Sequence, residues 1–272
     1  MTEQLSQKTI NDFGRQWKAY QDNEGFYGSS ELFADHFSPL LRPGEIAGKR
    51  VADIGSGTGR IVQMLLAERV SEVLAVEPAS DAFGVLVKNV SSMKDKVTCL
   101  NVTGDNLPPT GDFDYVFSVG VLHHIPDPVP VVQAAYSALK SEGKLAIWVY
   151  GKEGNELYLL FVEPLRKITS LMPHWLLEGL SWILYFPLAI YIQLCKVFPL
   201  PLHNYATNVI GRMTPDKQRL IIYDQLNPAY AKYYSRDEVI SLLQQGGFVD
   251  ISVHQRHGYS WTAVATKPIK ED

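Results

Sequence analysis

The chain has 272 residues with 46% hydrophobic content, enough to bury a sizeable core, and one α/β domain with an insertion suits that length better than two domains. A formal net charge of −4 and a pI near 6.0 supply no basic field, which argues against a nucleic-acid substrate. The two cysteines, Cys99 and Cys195, each lie in an apolar stretch and read as small core residues in a reducing compartment, not as a disulfide or metal framework.

Met1 to Asn11 is polar and contains no apolar secretory segment, so a cytoplasmic protein is expected. Arg15-Gln16-Trp17 follows in an amphipathic helical stretch with Phe13 and Tyr20. From Lys49 to Val149, short β-rich apolar runs alternate with helical patterns, the signature of βαβ units and a mostly parallel sheet. Strands are predicted at Arg50–Ile54, Glu72–Val76, Val97–Val102, Phe113–Val119 and Lys144–Tyr150. Helices are predicted at Arg60–Arg69, Ser80–Asn89 and Val129–Leu139. After a long interruption, Ser235-Arg-Asp-Glu238 is a capping box opening a helix that ends at Gly246-Gly247. Strands Phe248–Gln255 and Trp261–Ala265 close the chain. The turn between them is too short for a parallel crossover, so this pair is antiparallel.

The interruption, Lys152 to Tyr234, is rich in Leu, Trp, Tyr and Pro. Its heart, Gly179–Cys195, runs for 17 residues without a charge and has Pro187 in the middle. A membrane span needs about 20 apolar residues, and a single crossing would put strands of one sheet on opposite sides of a bilayer. The segment is therefore a helical cap packed on the ligand edge of the sheet, or a hairpin touching a membrane surface through residues 175–200. The packed cap is favoured, because buried helices are also apolar all round.

Val51-Ala-Asp53-Ile-Gly55-Ser56-Gly57-Thr58-Gly59-Arg60 is a buried strand entering a glycine turn that opens a helix. Glycines let a ligand approach the main chain, and the helix start offers free N–H groups. The spacing departs from the dinucleotide pattern: the third glycine comes one residue early, and Arg60 stands where a small residue is wanted. Asp53 just ahead of the loop would repel a pyrophosphate but suit a ligand carrying an ammonium and a sulfonium. Glu77, 22 residues past Gly55, lies near the offset at which an acid binds ribose hydroxyls. Asp105 ends the third strand, so three acids stand at adjacent strand ends, where open α/β sheets bind ligands.

Val51–Arg60, the Val-Glu77-Pro78 step, Gly104-Asp105-Asn106-Leu-Pro and Phe113 through Ser118 to His123-His124-Ile-Pro-Asp127 resemble successive motifs of class I S-adenosylmethionine-dependent methyltransferases. The nearest likeness is to the small-molecule branch containing ubiquinone and menaquinone biosynthesis enzymes, and it covers about Lys49 to Tyr150. The resemblance implies a Rossmann-like seven-stranded sheet with its last strand antiparallel, here with a helical apolar cap inserted between strands five and six. It implies S-adenosylmethionine as cofactor, bracketed by Gly55, Ser56, Gly57, Thr58 and Gly59. Asp53 would then face the amino-acid moiety, Glu77 beside Pro78 the ribose, and Asp105 with Asn106 the adenine; Ser118 would lie under the sulfur. Related enzymes often fold an N-terminal segment over the cofactor, so residues 1–48 with Trp17 are either such a lid or an ordinary packing helix. The resulting organisation is 1–48 lid, 49–151 cofactor core, 152–234 cap and 235–272 completing the core.

Methyl transfer asks the protein for orientation and exclusion of water, with a base only if the nucleophile carries a proton. His123 and His124 follow the fourth strand and are candidate bases for a hydroxyl, or else bond the Ile125-Pro126 turn. Tyr150 is a further candidate for a substrate contact, with Trp148 expected on the opposite face. His254, Gln255, Arg256 and His257 are expected on the surface, and His174 and His203 are expected to cap helices or face solvent. Tyr223 to Tyr230 is a candidate wall of the acceptor pocket. No cluster has metal-ligand spacing, so no metal is expected. The apolar cap predicts a small, hydrophobic or lipid-linked acceptor and an enzyme that is cytoplasmic or peripheral at a membrane. A cofactor-binding scaffold without catalysis and a nicotinamide oxidoreductase are the alternatives.

Overall fold

The computed structural model describes residues 2–42 and 44–269. Seven strands form one sheet: β1 (Arg50–Ile54), β2 (Glu72–Val76), β3 (Val97–Leu100), β4 (Phe113–Val119), β5 (Leu139–Tyr150), β6 (Val249–Arg256) and β7 (Ser260–Thr266), in the order β3-β2-β1-β4-β5-β7-β6. Neighbours from β3 to β5 are parallel, while β7 runs antiparallel to both β5 and β6. The expected last-strand reversal is thus observed.

The register explains the two-sided core. Val51 lies between Val73 and Tyr115, and Ala52 between Leu74 and Val116. Successive side chains alternate across the sheet, so Val51, Val73 and Phe117 pack with α2 (Ser30–Phe37) and α3 (Arg60–Ala67) on one side. Ala52, Val116 and Ile147 pack on the other side with α5 (Val129–Ala138) and α10 (Arg236–Gln245). Ser235 and Glu238 make both bonds of the capping box that starts α10. Helix α4 (Ser80–Asn89) meets the N-terminal helix α1 (Thr2–Ala19). The strand β5 begins five residues earlier than expected, because Leu139 already pairs with Phe113 before an irregularity.

The cap comprises α6 (Glu156–Thr169), α7 (His174–Cys195), α8 (His203–Asn208) and α9 (Pro215–Leu226). It departs from the expected packed cap. In α7 only Leu177, Ser181, Ile192 and Cys195 are buried, while Trp175, Trp182, Ile183, Phe186, Ile190 and Leu194 are exposed. Within the cap, α6 and α7 rest their inner sides on α9, and α7 also on α8, while among the described residues no element packs on the outer side of α7. By length and composition α7 could cross a membrane, but both ends of the cap return to one sheet.

Candidate active site

A cavity of about 1030 Å³ opens at the carboxyl edge of the sheet, lined at one end by Gly55, Ser56, Gly57, Thr58, Glu77 and Pro78. Gly55 and Gly57 have φ of +74° and +55°, a region closed to most L-residues. A Cβ on Gly55 would stand 2.4 Å from Val121, and one on Gly57 would press on the Trp17 indole at 3.3 Å. Trp17 itself lines the cavity, so α1 lies across the glycine turn. Asn23 holds it there. Its amide donates to the Thr58 carbonyl at 3.1 Å, and Thr58 Oγ1 donates to its Oδ1 at 2.7 Å. Sequence reasoning missed Asn23, which carries no motif of its own.

The Glu77 carboxylate accepts from the backbone N–H of Gly57 and of Ala79, each at 2.8 Å. Burial nevertheless pushes its pKa up to about 7. A carboxylate therefore already occupies a main-chain N–H that a dinucleotide's pyrophosphate would need, which weighs against nicotinamide nucleotides. Asp53 lies beneath the turn, outside the cavity lining, with Oδ2 buried and unpartnered. Burial pushes its pKa, too, up to about 7.

Asp105 lines the cavity from a short helical turn after β3, at its exposed rim, with Thr103 and Gly104 beside it. Several expected positions are corrected. Asn106 turns its amide to Thr103 Oγ1 at 2.8 Å and does not line the cavity. Gly59 caps α3 with φ +89° behind the lining. Ser118 is buried within the sheet, its hydroxyl unpartnered.

The histidine pair splits. His123 is fully buried off the cavity, stacked on Tyr150 at 3.8 Å between ring centroids, with neither nitrogen partnered. Burial holds it neutral, its pKa well below the ordinary range. His124 lines the cavity, and its Nδ1 lies 2.9 Å from the Tyr230 carbonyl oxygen. A carbonyl only accepts, so Nδ1 carries the proton and the Nε2 lone pair is left free. Burial lowers the pKa of His124 to about 4, keeping it neutral.

Tyr150 donates its hydroxyl to Asp224 Oδ2 at 2.8 Å and accepts from Gln225 Nε2 at 2.9 Å. Burial raises its pKa well above the ordinary value, so it is a donor and not a base. Trp148 lines the same cavity, against expectation, because residues two apart share a strand face. Asp224 Oδ1 also accepts from Gln16 Nε2 at 2.9 Å, tying α1 to α9 over the site. Among the described residues no Lys or Arg pairs with Asp224. Arg166, buried in α6, donates to the Gln225 carbonyl at 2.8 Å and to the Tyr233 hydroxyl at 3.0 Å. The expected wall at Tyr223–Tyr230 thus contributes Asp224, Gln225 and Leu226 to the lining.

Other histidine and arginine placements differ from expectation or were not anticipated. Arg256 is 3% exposed and paired with Asp35, which His257 Nε2 also meets at 2.9 Å, because α2 packs over the hairpin. His174 opens α7 half-buried against the Tyr223 hydroxyl, capping nothing. His36, unremarked in the sequence, is a buried cavity-lining residue with Nδ1 unpartnered. No group of three His, Cys, Asp or Glu able to hold a metal occurs among the described residues.

Residues 52–145 match the family described as Methyltransferase domain. Over 135 residues the chain is 30% identical to a tRNA U34 carboxymethyltransferase of Shewanella piezotolerans, covering 49% of this chain and 39% of that one. The chain spans well under half the length of the curated relatives it matches. A solved 1,6-didemethyltoxoflavin-N1-methyltransferase from Burkholderia thailandensis superposes with a TM-score of 0.57 at 15% identity, over 99% of this chain and 91% of that one. A possible histamine N-methyltransferase from Thermotoga maritima gives 0.52 at 17% identity, over 95% and 99%. At such identities the structures share a fold. The matched segment is similar to a methyltransferase domain, and the fold is shared with solved S-adenosylmethionine-dependent methyltransferases, among them a Haemonchus contortus phosphoethanolamine N-methyltransferase solved with S-adenosyl-L-methionine, a sulfonium cation. The residues fit that cation: a buried, unpartnered Asp53 oxygen lies under the turn, and a buried Glu77 lines the cavity beside it.

Proposed function

We propose that the chain transfers a methyl group from S-adenosylmethionine to a small, apolar acceptor. One observation carries this reading: the cavity does not stop at the cofactor end but continues past His124 to Leu165, Leu184, Leu188 and Tyr191 of the cap. Ligand pockets usually hold roughly 300–1,000 Å³, so about 1030 Å³ has room for a cofactor and an acceptor side by side.

When bound, the cofactor supplies a methyl group already activated by its positive sulfonium. The chain's own residues orient and dry the site. Asp53 and Glu77 supply negative charge near the glycine turn, and Trp17 covers it. His124 presents a neutral Nε2 able to accept a proton or hydrogen bond from an acceptor hydroxyl, and Asp224 offers a carboxylate beside it. Leu184 and Leu188 supply the apolar wall.

The likeness of Val51–Arg60 and Phe113–Asp127 to quinone-pathway methyltransferases supports an apolar acceptor. The tRNA acceptor named for the Shewanella relative is disfavoured here by the net charge of −4 and the cap's leucines. Calorimetry with S-adenosylmethionine, followed by turnover to S-adenosylhomocysteine with apolar phenol and quinol acceptors and with tRNA, tests the reading. Turnover with tRNA alone would refute the acceptor class, and absence of cofactor heat would refute the activity.

A further inference from the structure

Of the eighteen large hydrophobic side chains exposed among the described residues, fifteen fall between Leu157 and Phe198. In α7, Leu177, Ser181, Ile192 and Cys195 face inward, yet the outward Ile183, Phe186 and Ile190 are each more than 60% exposed. A surface helix ordinarily turns a polar side to water, whereas Gly179–Cys195 has no charged residue. Helix α6, joined to α7 by a short turn and likewise packed on α9, repeats the pattern with Leu157, Phe161, Leu165 and Ile168 on one stripe. Contiguous apolar surface on this scale marks an interaction site.

We propose that the outer sides of α6 and α7 seat on a lipid bilayer surface, with α7 lying in its plane, and that the acceptor enters the cavity from the bilayer beside Leu165. The proposal rests on reading the cavity as an acceptor site. Spanning is ruled out because the inner side of α7 is fixed to Tyr223 and Leu226 of α9 and to Ala206 of α8. An in-plane helix buries its apolar side in the headgroup region instead. Exposed Trp175 and Trp182 suit that depth, and Lys167 and Lys196 border the face where their amines reach water. Leu165 decides between a bilayer and a second copy of the chain. It is 39% exposed on the apolar stripe and also lines the cavity. A second copy would close that route, while a bilayer leaves it open to a dissolved apolar molecule.

The test is co-sedimentation of the full chain, without cofactor or acceptor, with phosphatidylcholine–phosphatidylglycerol vesicles. Two variants accompany it: Ile183→Asp with Phe186→Asp, and Leu157→Asp with Phe161→Asp. The wild-type chain should sediment with vesicles even at about 0.5 M salt, since the attraction is apolar. Each variant should lower vesicle partitioning roughly tenfold or more while keeping wild-type calorimetric affinity for S-adenosylmethionine. Failure of the wild-type chain to bind vesicles, or unchanged binding in both variants, overturns the proposal. A lipid-free dimer dissolved by the same substitutions, with no vesicle binding, overturns it in favour of a second copy. Vesicle binding without cofactor heat strikes the methyl-transfer reading and leaves the bilayer seat standing.

Discussion

The backbone N–H of Gly57 donates to Glu77 Oε2 at 2.8 Å, so the acid that ends β2 holds the glycine turn that follows β1. One side chain therefore shapes the loop and faces the cavity. Glu77→Ala should weaken S-adenosylmethionine binding by about 1–3 kcal/mol, the scale of lost charge-assisted hydrogen bonds. Calorimetry checks this, and an unchanged affinity would mean that the turn keeps its shape without the carboxylate.

Asp53 gives a pH signature. Its folded pKa is about 7 against about 4 for an unfolded aspartate. The folded chain binds the extra proton between those values, so its contribution to stability falls as pH rises through that window and stays low above it. Asp53→Asn cannot ionise. Without cofactor, its melting temperature relative to wild type should rise by roughly 3–8 °C between about pH 5 and pH 8. The same variant should bind S-adenosylmethionine more weakly, having lost the negative charge buried beneath the glycine turn. A pH-independent gap between the two melting curves would show that Asp53 is not buried as a free acid.

Much of this was legible from the residues. Strands β1 and β4 fall where apolar runs end at Gly55 and Gly120, β2 where one ends at Glu77-Pro78, and the Ser235–Glu238 box starts α10, because short-range sterics and capping set those boundaries. The cofactor end of the cavity was legible because Gly55, Gly57 and Glu77 act through the backbone at fixed offsets. His123 and His124 were not separable. Adjacent identical residues differ only in which one the turn after β4 directs to the cavity, and that depends on Tyr230, distant in sequence. Asp224 was visible only as part of a polar segment. Its role depends on Gln16 and Tyr150, contributed from both sides of it in space.

The histidines should therefore respond differently. His123→Ala opens a hole in the stack with Tyr150 and should cost about 2–4 kcal/mol of stability, with cofactor affinity retained in the folded fraction. His124→Ala should leave the melting point nearer wild type and lower turnover on the order of a hundredfold if the acceptor is a hydroxyl. With a pKa of about 4, His124 is already neutral throughout the neutral range. Its loss should thus lower the rate without moving a pH limb between about 6 and 8. Urea melts and pH–rate profiles on both variants distinguish these outcomes.

The Gln16–Asp224–Tyr150 latch predicts a dynamic effect. Asp224→Asn leaves one acceptor oxygen for the Gln16 and Tyr150 donors and weakens the bond that fastens α1, while Tyr150→Phe removes the bond that orients Asp224 toward Gln16, worth about 1 kcal/mol apiece. Amide exchange in α1 should accelerate about fivefold, and cofactor dissociation should speed up with it. Exchange confined to wild-type rates would leave α1 as a packing helix held by α4, Asn23 and the Asn227 amide on Asp12 and Gln16.

The cap carries the last prediction, and the structure decides which residues to change. Ile183 is 68% exposed and lines nothing, so replacing it cannot report on the pocket. Leu184 and Leu188, one helical turn apart, face the cavity from the same helix. Serine at either position removes apolar contact from the acceptor while leaving the glycine turn, Asp53 and Glu77 untouched. Each large-to-small change at an apolar wall costs about 1–3 kcal/mol of binding, so the acceptor KM should rise roughly 5- to 100-fold. The S-adenosylmethionine affinity should hold, and Ile183→Ser should change neither constant in detergent-free solution. If the leucine variants keep the wild-type KM while cofactor affinity falls, the cap end of the cavity belongs to the cofactor, and the acceptor must enter elsewhere.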